Sequence, residues 1–419
     1  MNSILIKKVL LNGQRRDILI VGDKILRIDS DIDHIADRII DGEKFAAIPG
    51  FVNGHTHAAM TLTRGYKEDL PLHEWLTEIW KIEAEVDDEM VYWGTKLACL
   101  EMIKSGTTLY NDQYMKMLSS VEAVKDMGLR SHQTFLIMNF MDDRDNERLK
   151  EECFRIYEMS KEWPARIKFG VSVHSPYTVS EEMILWAGDF VKRNDLLMHI
   201  HISETQKEVE DMYAAKGISP VKYLDSLGVL GNEVIAAHCI WLDNEDIEIF
   251  AHRGVNVVHN VNSNLKLASG YRFLYEEFRN SGVNVCLGTD GASSSNNLDM
   301  LEAMKTMALI QKAWRSDPKS MPLNELMAVA TANGAKALRV QSGRIEEGAL
   351  ADIVLINIDS YQFMPMYDFE ADLIYSANSS CVDTVICDGK ILMENRIVPG
   401  EKEILTGVYE SVERLKRKL

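Results

Sequence analysis

Pro49-Gly50-Phe51-Val52-Asn53-Gly54-His55-Thr56-His57 is a short apolar run that ends in two histidines, and it opens the part of the chain that decides the fold. Seven more apolar runs follow, beginning near Thr108, Ser131, Ile167, Leu196, Val234, Val255 and Val283. Longer helix-like stretches, such as 89–104 and 243–253, separate them. Strands that alternate with helices imply parallel βαβ units. Eight such units between Pro49 and Arg344 suit an α/β chain folded as a distorted (β/α)8 TIM barrel. A doubly wound open sheet is the alternative. No GxGxxG follows the first strand, which weighs against it.

Outward from the barrel the texture changes. Ile4–Ile6, Asp17–Val21 and Ile25–Ile28 read as short strands bounded by the turn dipeptides Asn12-Gly13 and Gly22-Asp23. Ile353–Ile356 and Val385–Cys387, the latter followed by Asp388-Gly389, repeat that texture at the far end. Neither end alone has enough strands to cover a face. The expectation is a small antiparallel β-sandwich domain shared by both chain ends. The expected boundaries are 1–48 and 346–400 for the sandwich, 49–345 for the barrel and 401–419 for a terminal surface helix of alternating Glu and Lys/Arg.

Composition narrows the function classes. Of 419 residues, 46% are hydrophobic and 26% charged, an ordinary globular balance. Lys+Arg number 46 against 64 Asp+Glu, a net charge of −18. That excess argues against a nucleic-acid partner and against an anionic membrane surface. Six cysteines occur without a CxxC pair, so a reduced cytoplasm fits better than a disulfide framework. The N-terminus lacks a signal-peptide pattern, and no apolar run approaches the roughly 20 residues a bilayer demands.

The chemistry of a barrel lies at the C-terminal ends of its strands. Run one ends in His55 and His57, which at i and i+2 face one side. Run five carries His199 and His201, with Glu204 just beyond; run six ends in His238; run eight leads into Asp290. Buried polar groups at four strand ends are costly without a partner. A divalent cation removes that cost. Three imidazoles and a carboxylate suit Zn²⁺, with Fe²⁺ also compatible.

Residues 49–57 resemble the opening signature of the amidohydrolase superfamily. Asp69-Leu70-Pro71-Leu72 with Glu74-Trp75-Leu76, His201-Ile202-Ser203-Glu204-Thr205, Ala237-His238-Cys239, His259-Asn260 with Ser263-Asn264-Leu265-Lys266-Leu267, and Gly288-Thr289-Asp290-Gly291 tighten the match. Together they resemble the 5-methylthioadenosine/S-adenosylhomocysteine deaminase branch and its chlorohydrolase relatives. The resemblance implies one metal per chain, held by His55, His57, His201 and Asp290. It implies Glu204 as proton shuttle, His238 as hydrogen-bond partner of the attacking water, and Asp290 as a second proton relay. Binuclear relatives use a carboxylated lysine at the end of strand four. Here that run ends in His174, and Lys168 lies at its start. His199 is left to a supporting role, because the HxxE spacing selects His201.

For the substrate, the resemblance implies Glu83 on the ribose hydroxyls, His174 on purine or ribose, and Arg148 on an amino-acid carboxylate. A second carboxylate-binding arginine is missing, and Phe135 stands near its place. That favours 5'-methylthioadenosine, adenosine or 5'-deoxyadenosine over S-adenosylhomocysteine. Lys81 and Val261 replace prolines usual in the branch. Met60, Met138 and Met141 could soften a pocket for a thioether, though methionine is more often core filler. The competing readings are another ring substrate (guanine, a pterin, cytosine or an s-triazine) and a non-catalytic scaffold. Glu83 argues against a free base, and the filled ligand positions argue against a scaffold. Proteins of the resembled branch are often homo-oligomers, so a homo-oligomer is compatible, with no interface marked in the sequence.

Overall fold

The computed structural model describes residues 3–418; Leu419, counted in the expected terminal helix, lies outside them. Eight barrel strands run in chain order: Phe51–Thr56, Thr107–Tyr114, Arg130–Ile137, Ile167–Val173, Met198–Ile202, Val234–His238, Asn256–His259 and Asn284–Leu287. Each pairs parallel with the next, and no strand order reverses, so the doubly wound alternative is excluded. Every observed start lies within two residues of its expected position. The runs are legible because a parallel strand is covered on both faces. In Met198–Ile202, Met198, Ile200 and Ile202 join the core beneath the helices, and His199 and His201 alternate with them.

The barrel is sealed between its first and last strands. The Asp290 N–H donates to the His55 carbonyl at 3.0 Å. Asn53 and Thr289 exchange two more bonds, of 2.7 and 3.0 Å. Helices outside are capped as their sequences direct. Asp87 accepts the Met90 N–H at 2.9 Å, and Asp243 with Asp246 forms a reciprocal capping box.

Both chain ends contribute to one eight-stranded sheet. Ile353–Asn357 pairs antiparallel with Phe45–Pro49, which joins C-terminal to N-terminal strands. The sheet is not purely antiparallel as expected: Ser3–Leu11 takes Arg38–Asp41 and Phe45–Pro49 as parallel neighbours. Its core of Ile4, Ile6, Ile18, Ile20, Ile353 and Ile386 is separate from the barrel core. A buried ion pair ties this sheet to the barrel floor. Arg130 meets Asp352 and Asp388, each at 2.7 Å.

The terminal helix Glu401–Lys416 is more than a solvated surface element. Ile404, Gly407, Ser411 and Leu415 form a buried stripe that packs along the helix Asp88–Lys104. Gly407 is required there, since a Cβ would lie 2.3 Å from the Trp93 ring. Among the described residues no helix is long and apolar enough to cross a membrane.

Candidate active site

Strand ends from opposite sides of the barrel converge on one point. Nε2 of His55 and Nε2 of His57 each lie 3.2 Å from Oδ1 of Asp290. Nε2 of His201 is 3.3 Å from Nε2 of His55. The tautomers are set from behind. Nδ1 of His57 donates to the Gln113 carbonyl at 2.6 Å, and Nδ1 of His201 to the His174 carbonyl at 2.7 Å. In the neutral form both rings therefore aim an Nε2 lone pair inward. Lone pairs and a carboxylate pressed together in a buried site repel unless a cation lies among them. The donor set fits a divalent ion such as zinc.

Asp290 reaches the cluster by a sharp turn. Its φ is +63°, in the left-handed region that Asp tolerates better than most residues. Gly288 and Gly291 flank it: a Cβ on the first would sit 2.4 Å from Asn260 Oδ1, and on the second 2.6 Å from Met60 Sδ. Ser263 and Ser294 donate to Oδ2 at 2.6 and 3.1 Å, leaving Oδ1 to the histidines. Burial raises this carboxyl, but the facing His55 and His57 rings outweigh burial and hold it well below its usual range, as a bound cation would. Burial pushes His55, His201 and His238 down, toward the neutral form a metal site needs, whereas at His57 the Asp290 carboxylate outweighs burial and draws the ring up to about 8.

Glu204 and His238 face each other across the same pocket, with His238 Nε2 3.6 Å from Glu204 Oε2. Asn264 Nδ2 donates to Nδ1 of His238 at 3.0 Å, so the neutral ring carries its proton on Nε2. His238 thus presents a donor where His57 and His201 present lone pairs. Burial pushes Glu204 well above the usual carboxyl range. His199 sits behind His55, ring centroids 4.7 Å apart, outside the ligand clusters. Its Nδ1 meets Asn111 at 3.2 Å.

The pocket wall beyond the cluster is largely apolar. Leu72, Trp75, Trp80, Leu136 and Met138 line it together with Glu83 and His174. Glu83 is 3% exposed, and its Oε1 has no partner among the described residues. Burial pushes this carboxyl up to about 7, against the pull of the Tyr114 hydroxyl. The His174 ring is held by Thr178 at 2.8 Å. Arg148 is not brought to the pocket. It lies on the exposed helix Asn146–Ser160, paired with Asp145 at 3.0 Å and Glu152 at 3.4 Å. Phe135 is buried away from this pocket, and Leu136 faces it instead. Met60 and Met138 line the pocket; Met141 does not. Lys81 is exposed and pairs with Glu78, and Val261 is buried at a helix start. Arg148→Ala is expected to leave kcat/KM for a small nucleoside within roughly twofold, as for most exposed sites. A steady-state comparison with the parent protein checks it.

Sequence reasoning passed over several contributors. Asp112, Gln113 and Tyr114 end strand two without a histidine to mark them, yet Asp112 accepts the Ala58 N–H at 2.8 Å just behind His57. Ser263 and Asn264 were visible only as part of a motif. Glu208 reads as an ordinary helix-start acid.

The amidohydrolase family model matches residues 46–392. The chain belongs to the amidohydrolase family. This amidohydrolase is 44% identical over 382 residues to a 5'-deoxyadenosine deaminase of Methanospirillum hungatei, covering 91% of this chain and 85% of that one. It is 43% identical over 384 residues to a 5-methylthioadenosine/S-adenosylhomocysteine deaminase of Archaeoglobus fulgidus, covering 91% and 90%. Its fold superposes on a zinc-bound adenosine deaminase from Xanthomonas campestris with a TM-score of 0.94 at 29% identity, covering 99% of this chain and 98% of the other.

Proposed function

We propose that this amidohydrolase deaminates adenine nucleosides with a small 5' group (5'-deoxyadenosine, 5'-methylthioadenosine or adenosine) to the inosine analogue and ammonia, using one zinc per chain. The observation that carries the reading is Glu83: a buried carboxylate with a free oxygen, in the same pocket as the histidine–aspartate cluster and Glu204. A carboxylate accepts two hydrogen bonds from a vicinal diol, and a free base offers none. The deaminase relatives at over 40% identity support the reaction class.

A divalent ion bound by His55, His57, His201 and Asp290 would supply Lewis acidity, lowering the pKa of a water toward roughly 7. Glu204 takes a proton from the attacking water and delivers it to the ring nitrogen next to C6. His238 donates its Nε2–H to the attacking oxygen. The C6–O bond forms, the exocyclic C–N bond breaks, and Asp290 relays the second proton to the departing amine. Burial raises Glu204, so its carboxylate is a stronger base toward the attacking water than an ordinary one. Glu83 and His174 hold the ribose end. The 5' group would meet Leu136 and Met138, with no Lys or Arg lining the pocket among the described residues. S-adenosylhomocysteine therefore ranks last. Six buried free cysteines support a reducing compartment.

Ammonia release by zinc-loaded protein tests the reading over 5'-deoxyadenosine, 5'-methylthioadenosine, adenosine, S-adenosylhomocysteine and guanine. Turnover of the small nucleosides is expected; turnover of guanine alone, or of nothing, would overturn it. Glu83→Gln is expected to lower kcat/KM for nucleosides roughly tenfold or more, with zinc retained. The parent's KM should rise as pH falls through about 7, because the raised carboxyl is then protonated and loses acceptor capacity. A KM profile across neutral pH that is as steep in Glu83→Gln would assign the dependence elsewhere.

A further inference from the structure

Glu208 is a buried carboxylate that the proposed reaction does not use; it is 5% exposed and stands in the first turn of the helix Gln206–Lys216. Thr205 caps that helix, its side chain accepting the Glu208 N–H at 3.1 Å. In a capping box the acid three residues on returns to the N–H of the cap residue. The helix Asn244–Arg253 does this, with Asp246 accepting from the Asp243 N–H at 3.2 Å. Glu208 reaches further back. One oxygen accepts the Ser203 N–H at 2.8 Å, and the other accepts the Glu204 N–H at 2.9 Å. Two consecutive main-chain donors, the second belonging to Glu204 itself, are pinned by one carboxylate.

The segment so held is strained. Ser203 has φ +52°, a left-handed conformation that a non-glycine residue keeps only when its surroundings impose it. The Ser203 carbonyl accepts from the N–H groups of Ile240 and Trp241 at 3.1 and 3.0 Å. Those residues follow His238 and Cys239, themselves at φ +72° and +52°. A single turn thus couples the main chain under Glu204 to the loop that presents His238. Burying a carboxylate is costly, and an exposed acid at this position would cap the helix as well.

We propose that Glu208 is a positioning residue for Glu204, fixing its main chain so that its side chain meets the ring nitrogen. The inference rests on the reading of Glu204 as the proton carrier. Misplacement of a reacting group by about 1 Å can cost roughly 10²-fold in rate.

The test uses full-length, zinc-loaded protein. E208Q keeps the shape but sets an NH2 group against one of the two N–H donors. It should lower kcat roughly 10²-fold with little change in KM and with zinc retained. In an E204Q background the same change should have almost no further effect on residual kcat, because Glu208 acts only through Glu204. T205A, which removes the helix cap alone, should keep near-parental kcat. An E208Q loss of equal size in both backgrounds, or no loss in the parent, would overturn the proposal. Amide hydrogen exchange judges the contact apart from the chemistry. In E208Q the peptide containing Ser203 and Glu204 should exchange faster while the barrel strands do not. Unchanged exchange there would overturn the proposal even if the parent deaminates, and E204Q with parental turnover would instead refute the reading of Glu204. If E208Q does not fold, E208D serves: it keeps the charge, falls short of the two N–H groups and should show the same kinetic and exchange signature.

Discussion

Glu204→Gln is expected to cut kcat by roughly 10²–10⁴-fold while zinc content and overall fold stay as they are. The amide is isosteric, so the pocket keeps its shape. It cannot carry a proton from water to a ring nitrogen. Glu204 lies outside the His55–His57–Asp290 group, and its Oε2 is 3.6 Å from His238 Nε2. Metal loss is therefore not the expected route to inactivity. Burying a carboxylate costs folding free energy. The amide should accordingly match or exceed the parent in thermal midpoint, separating this change from general destabilisation. Metal analysis, a melting curve and turnover on the same sample check all three points. Near-parental turnover with full metal would remove Glu204 from the proton path.

Asp352→Ala is expected to destabilise the protein by about 3–5 kcal/mol, the cost of leaving a buried charge without its partner. The Arg130 and Asp352 side chains are 6% and 1% exposed, in contact at 2.7 Å. Asp352 also accepts the Asp388 N–H at 2.8 Å. Truncation would leave the guanidinium with Asp388 alone, at the joint between barrel floor and end sheet. A urea titration followed by fluorescence measures the loss. Removing both charges, as Arg130→Met with Asp352→Leu, should cost less than the single change. A single variant within about 1 kcal/mol of the parent would mean that water reaches Arg130 and replaces the partner.

The barrel was legible because its strands are covered on both sides and read as apolar runs between amphipathic helices. The cluster was legible because His55, His57, His201, His238 and Asp290 all stand where such runs stop. What escaped was what the runs do not encode. The parallel pairing of Ser3–Leu11 depends on a four-residue strand, Arg38–Asp41, too short and polar to show a period. The stripe Ile404, Gly407, Ser411, Leu415 is broken by a glycine and a serine, and the surrounding Glu and Lys/Arg mask it. Arg148 matches a motif by spacing, but spacing does not say which face of a helix a side chain occupies. Glu208 carries the signature of a helix cap, and only the backbone turn at Ser203 reveals which N–H groups it holds.

The end sheet has a consequence for synthesis. Phe45–Pro49 finds its neighbour Ile353–Asn357 only after the roughly 300 intervening residues have left the ribosome. At about 5–20 residues per second that is a wait of roughly 15–60 s. Through that interval the nascent N-terminal segment offers an unpaired strand edge, which is a template for joining other chains. A chain released before Ile353 could form every barrel strand and still lack the partner for that edge. Premature termination should yield aggregates rather than a smaller enzyme, and the barrel must hold its register while Phe45–Pro49 waits for Ile353–Asn357.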